Sequence, residues 1–125
     1  MNKTLNRIFV VDDDPDIGMM LKLMLEYHGF NVLVTERAEK AEDMIQNQHF
    51  DLVIMDMLMS GINGTDICSR LKKDITTANL PVIMISAHPN AREICMNAGA
   101  DDFIAKPFDI DELLSTVSRF TPALR

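Results

Sequence analysis

An α/β fold built on an open, doubly wound parallel sheet is what this sequence predicts, and three observations predict it. Apolar runs of strand length alternate with amphipathic stretches of helix length from one end to the other. Most of those runs are nearly continuous Val, Ile, Leu, Met or Phe without polar alternation, the pattern of strands covered by helices on both faces. The chain has 125 residues, the size of one compact domain, so residues 1–125 are read as a single unit. Five strand–helix units are too few for an eight-fold barrel, and right-handed crossovers leave an open sheet of five strands and five helices as the best arrangement.

The elements follow in order. The first run is Arg7 to Val11; after it Asp14 can cap a helix with Pro15 at its first position, and Ile17, Met20, Leu21, Met24 and Leu25 recur at helical spacing until Gly29. A short run, Val32 to Val34, precedes Thr35 and a helix over about Ala38 to Gln48. Leu52 to Met55 is the third run, followed by a helix from about Thr65 to Lys73 with Ile67, Cys68 and Leu71 inward. Val82 to Ile85 leads to a helix over about Pro89 to Asn97 before Gly99, and Phe103 to Ala105 is the fifth run. The last helix is capped by Asp109 and carries Ile110, Leu113, Leu114 and Val117 on one stripe. No repeat, low-complexity segment or linker interrupts this order, and Thr121 to Arg125 reads as a frayed tail rather than a linker stub, which favours a stand-alone protein.

Composition removes several function classes. The formal net charge of −7 argues against a broad phosphate-backbone surface, so direct nucleic-acid binding is not expected. No apolar run approaches the ~20 residues of a membrane span, and MNKTLNR lacks the apolar length and cleavage site of a secretory signal, so a cytoplasmic location without membrane contact is expected. Cys68 and Cys95 have no partner at metal-ligand spacing and read as packing thiols. His28, His49 and His88 share no ligand spacing either, and most of the ten methionines read as core filler.

In an open α/β sheet, ligands bind outside the carboxyl ends of the strands. Polar groups stand there: Asp12 and Asp13 after the first run, Asp56 at the end of the third, Ser86 after the fourth and Lys106 after the fifth. A carboxylate in a stretch as apolar as LVIMDMLM needs compensation, and neighbouring carboxylates cannot supply it because they repel. A hard divalent cation such as Mg²⁺ (or Mn²⁺) neutralises such a cluster through oxygen ligands. Asp56 beside such an ion is the nucleophile to choose for phosphoryl transfer, with Lys106 offsetting charge and the Ser86 hydroxyl donating a hydrogen bond. No Gly-rich nucleotide loop is present, so the phosphoryl donor comes from outside.

These motifs, VVDDDP, DLVIMDMLMSGINGTDI, PVIMISA and GADDFIAKPF in that order, resemble the receiver domain of bacterial two-component response regulators over essentially the whole chain. The resemblance implies a flavodoxin-like strand order 2-1-3-4-5. It implies Asp56 as phosphoacceptor; Asp12, Asp13, Asp56 and the Leu58 carbonyl as Mg²⁺ ligands; and Ser86 and Lys106 as contacts to the phosphoryl group. Ser86 and Phe103 match the switch pair, and Lys106–Pro107 a cis peptide. Implied partners are a histidine kinase or histidine phosphotransfer protein upstream and a downstream protein or output domain, the chain being a monomer or a phosphorylation-dependent dimer. The receiver fragment of a longer regulator and a receiver-like scaffold that is never phosphorylated are the alternatives. Such a domain catalyses its own phosphorylation and dephosphorylation without being an enzyme on other substrates. Two positions depart from the pattern: Ser60 stands where proline is usual, and Phe103 where tyrosine is frequent. Leu58 and His88, two residues beyond Asp56 and Ser86, match positions that tune phosphate lifetime. A haloacid-dehalogenase-type phosphatase would carry a second acid two residues after the nucleophile, where Leu58 stands.

Overall fold

In the computed structural model, which describes residues 6–121, Asp14 caps the first helix as its chemistry predicts, its carboxylate accepting the Asp16 N–H at 2.9 Å with proline at the first helical position. The chain runs β1 (Arg7–Val11), α1 (Pro15–Tyr27), β2 (Asn31–Thr35), a 3₁₀ turn (Ala38–Lys40), α2 (Ala41–Asn47), β3 (Leu52–Asp56), β4 (Leu58–Met59), β5 (Ile62–Asn63), α3 (Gly64–Lys73), β6 (Val82–Ser86), α4 (Ala91–Asn97), β7 (Asp102–Ala105) and α5 (Ile110–Ser118). The sheet order is β2-β1-β3-β6-β7, all parallel, which is the expected 2-1-3-4-5 once the small antiparallel β4–β5 hairpin is set aside. No helix among the described residues is long and apolar enough to cross a membrane.

Differences from the expected boundaries are local. The second helix opens with the 3₁₀ turn because neither Arg37 nor Lys40 supplies a side-chain cap. The fourth begins at Ala91 rather than Pro89, again without a cap from Asn90. The β4–β5 hairpin was not anticipated: two-residue strands carry no periodicity, and its turn is marked only by Gly61 at φ +72°. Residues 122–125 of the expected frayed tail and residues 1–5 of the amino-terminal stretch lie outside the described residues. The Lys106–Pro107 peptide is cis, as the resemblance implied.

Strand side chains alternate between two cores. Ile8, Val10, Leu52, Ile54, Ile83, Ile85 and Ile104 meet Leu21 and Leu25 of α1 and Leu113 and Val117 of α5. Phe9, Val11, Val53, Met55, Val82, Met84 and Phe103 meet Ile45 of α2, Ile67, Cys68 and Leu71 of α3, and Cys95 of α4. Burying a side chain of this size contributes roughly 1.5–3 kcal/mol, which holds the strands in register and hence aligns their carboxyl ends. Both cysteines are buried, and desolvation pushes each thiol up to about 11, so they act as packing groups.

Candidate functional site

Register brings the strand ends together. Val11 pairs with Met55 and Asp56 with Ile85, while the Lys106 N–H donates to the Ser86 carbonyl at 2.9 Å. Asp12, Asp56, Ser86 and Lys106 therefore stand in a row at one edge, Asp56 and Ser86 as the last residues of β3 and β6 and Asp12 and Lys106 just after β1 and β7, which are neighbours in the order β1-β3-β6-β7. Asp12 is fully buried and Asp56 is 8% exposed. The Lys106 ammonium lies 3.6 Å from Asp12 Oδ2 and 3.5 Å from Asp56 Oδ2, shared between them at ion-pair range and too far for a strong hydrogen bond to either.

The rest of the acidic cluster is set by short backbone bonds. Asp12 Oδ1 accepts the Asp14 N–H at 2.9 Å, whereas Asp12 Oδ2 is buried with no hydrogen-bond partner. Asp13, half-buried, accepts both the N–H and the hydroxyl of Ser60 on one oxygen. Carboxylate oxygens of Asp12, Asp13 and Asp56 lie within 4.8 Å of one another. Three carboxylate side chains with hard oxygen donors, one of them carrying an orphaned buried oxygen, fit a divalent cation of the Mg²⁺ type.

Electrostatics agree. Burial raises the Asp56 carboxyl above its usual range, and the neighbouring Asp12 charge raises it further. Burial also raises Asp12, against the Asp14 N–H and Lys106, which lower it. Asp13 is lowered by its two bonds from Ser60. A carboxylate whose native pKa lies above its unfolded one is protonated more readily in the folded chain. The folded state then holds the extra proton between the two values, so stability falls as pH rises from near 3.8 through the raised native value and stays reduced at neutrality. In chelator at pH 7, Asp12→Asn is expected to stabilise the protein by about 1 kcal/mol, read as a rise in Tm of a few degrees. Adding Mg²⁺ should narrow the gap by stabilising the parent alone; a variant that melts below the parent in chelator would refute this account of the cluster.

The other expected residues fall as follows. Ser86 is buried at the end of β6, and its hydroxyl oxygen accepts the His88 N–H at 3.0 Å; His88 is thus the histidine nearest the crevice. Leu58 opens β4 with its side chain exposed. Phe103 is buried, with the Arg92 guanidinium 5.4 Å from its ring centroid. Ahead of and within β7, Asp101 is bonded to Lys72 at 2.6 Å and Asp102 pairs with both Arg92 and Arg119, so these acids are already partnered within the chain. Sequence reasoning missed two participants, the bonds from Ser60 to Asp13 and the close packing of Gly64 on the Asp56 carbonyl. The GING stretch is a signal that could have pointed to the tight approach at Gly64, whereas nothing local marks the bonds from Ser60.

The profile of the response regulator receiver domain matches residues 8–118. Among curated proteins, the phosphate regulon transcriptional regulatory protein PhoB of Rhizobium meliloti is 36% identical over 115 residues, covering 90% of this chain and 51% of that protein. The chain spans about half the length of the curated relatives it matches. Among solved structures, a candidate response regulator from Chloroflexus aurantiacus superposes with a TM-score of 0.90 at 31% identity, covering 95% of this chain and 99% of that one. The receiver domain of a sensor histidine kinase from Pseudomonas aeruginosa, solved with a magnesium ion coordinated in its active-site cleft, gives a TM-score of 0.87 at 25% identity over 95% of this chain and 99% of that one.

Proposed function

Because the chain belongs to the response regulator receiver family, we propose that it is the phosphoacceptor switch of a two-component system, with Asp56 receiving the phosphoryl group. The observation that carries this reading is the convergence of Asp12, Asp13 and Asp56 on one point with Lys106 shared between two of them. A histidine kinase or histidine phosphotransfer protein supplies the phosphoryl group. An Asp56 carboxylate oxygen attacks phosphorus as the bond to the donor breaks, leaving an acyl phosphate on the side chain.

Asp12, Asp13, Asp56 and the Leu58 carbonyl would hold Mg²⁺ or Mn²⁺. Bound there, the ion supplies charge neutralisation for the transferring oxygens. Asp12 and Asp13 orient the acceptor side of the crevice, and burial of Asp56 keeps the reacting carboxylate from a full hydration shell. Lys106 needs no strong bond broken to turn toward the incoming oxygens. The Ser86 oxygen accepts the His88 N–H and keeps its own hydrogen free to donate, so the hydroxyl can turn that hydrogen toward the phosphoryl group, and a movement of Ser86 in that direction is the displacement Phe103 and its surroundings would follow. Hydrolysis of the acyl phosphate uses the same groups, so the domain sets its own lifetime in the active state.

The half-length match to curated regulators supports an output domain as the downstream partner, in the same polypeptide or a separate one. DNA contacts of such regulators are then expected outside this domain, whose net charge of −7 is unsuited to them. Intact mass after incubation with Mg²⁺ and acetyl phosphate tests the proposal. A gain of one phosphoryl group that chelator abolishes is expected. No gain with this or a kinase donor would leave the unphosphorylated scaffold as the better reading.

A further inference from the structure

Ser60 is exposed at the tip of the β4–β5 hairpin, yet both of its donors converge on a single atom 47 residues away in sequence. Its backbone N–H reaches Asp13 Oδ2 at 2.7 Å and its hydroxyl reaches the same oxygen at 2.8 Å. The left-handed turn at Gly61, φ +72°, reverses the chain immediately after it. Two donors on Oδ2 restrain the Asp13 side chain within a cluster whose three carboxylates present oxygens inside 4.8 Å.

We propose that Ser60 is a positioning residue for the divalent cation, holding Asp13 in its ligating rotamer from the far side of the crevice before the ion arrives. This rests on the crevice being a Mg²⁺ site, the reading given above. Hydrogen-bonded partners of ligating carboxylates orient them and are typically worth ~10–100-fold in metal affinity. Preorganisation is the physical route, since the rotamer freedom of Asp13 is lost on folding rather than on binding. The clasp has a second effect. Leu58, whose carbonyl is the fourth proposed ligand, belongs to the same hairpin as Ser60, so holding Asp13 to the hairpin also brings together the two halves of the ligand set. A residue with neither N–H nor hydroxyl at position 60 would leave the two loops to find each other only through the ion.

The test is calorimetric titration of Mg²⁺ alone into the parent, Ser60→Ala, Ser60→Pro and Ser60→Thr. Ser60→Ala keeps the N–H and loses the hydroxyl, and is expected to bind Mg²⁺ roughly 3- to 10-fold more weakly; Ser60→Pro loses both donors and should weaken it ~10-fold or more, while Ser60→Thr retains both and should stay within ~2-fold of the parent. Because Ser60 is exposed, melting in chelator should change little, which separates a positioning role from a folding defect. In phosphorylation assays, Ser60→Ala should raise the half-saturating Mg²⁺ concentration and leave the rate at saturating Mg²⁺ unchanged. Parent-like or tighter Mg²⁺ binding by Ser60→Ala and Ser60→Pro would overturn the proposal while leaving the metal site intact. Absence of Mg²⁺ binding by the parent itself would instead overturn the reading of the crevice, and the role of Ser60 with it.

Discussion

Asp56→Asn is expected to reduce phosphoryl uptake by at least ~1000-fold, about 4 kcal/mol of transition-state stabilisation, while leaving the fold standing. The carboxamide fills the same space at the end of β3, but its oxygen is a poor nucleophile and it carries no charge for the ion. It also removes a carboxylate that burial and Asp12 both disfavour in the ionised form, so no loss of folding stability accompanies the loss of function. Intact mass after incubation with acetyl phosphate and Mg²⁺, with circular dichroism as the control for folding, reads both at once. Uptake at the parent rate by a folded Asp56→Asn protein would move the acceptor to another side chain and sink the assignment.

The second large effect belongs to a residue without a side chain. Gly64 is the first residue of α3, and a Cβ built on it would stand 2.3 Å from the Asp56 carbonyl oxygen and 3.2 Å from that of Met57, both backbone atoms that cannot rotate away. Its N–H donates to the Met57 carbonyl at 2.6 Å, so the start of α3 is pressed against the strand end that carries Asp56, the proposed acceptor. Asn63 caps the helix at the same place, its side chain accepting the Thr65 N–H at 3.0 Å. Gly64→Ala must therefore push α3 and the end of β3 apart, at an expected cost of about 3 kcal/mol and a fall in Tm of roughly 10 °C. Because the displaced backbone is that of Asp56 itself, phosphoryl uptake should fall even under conditions where the variant remains folded. A variant that melts within ~2 °C of the parent would show that this contact is soft.

Much of this was legible in the sequence, for reasons that can be traced to particular residues. Fully buried parallel strands must be apolar on both faces, so RIFVV, LVIM and VIMI announce themselves; a doubly wound sheet then places whatever polar residue follows each run at one edge. Asp12, Asp56, Ser86 and Lys106 were found that way. Helix starts with a side-chain cap, Asp14 and Asp109, were placed correctly, whereas the uncapped starts of α2 and α4 were placed too early. The bonds from Ser60 to Asp13 could not be read in advance, because they depend on the turn at Gly61 and span two loops. Nor could the pairing of Lys72 with Asp101: nothing local in either stretch points to a partner 29 residues away.

The two cores differ in more than location. Side chains buried between the sheet and α1 and α5 are Ile, Val and Leu with one Phe, many of them β-branched and restricted at χ1. Those between the sheet and α2, α3 and α4 include Met55, Met57, Met59 and Met84 together with both cysteines, and methionine has three rotatable bonds and a polarisable sulfur that adapts to irregular gaps. The methionines and cysteines are thus confined to one side of the sheet, mixed there with Val, Ile and Phe, and the other side holds none of them in its buried core. Asp56 and Ser86 end the two strands that carry Met55 and Met84, so a displacement starting at either meets the methionine-containing layer beneath α3 and α4 and the branched aliphatic one beneath α1 and α5. From side-chain chemistry, a displacement of either strand end is expected to be absorbed more readily on the α2, α3 and α4 side of the sheet than on the side of α1 and α5.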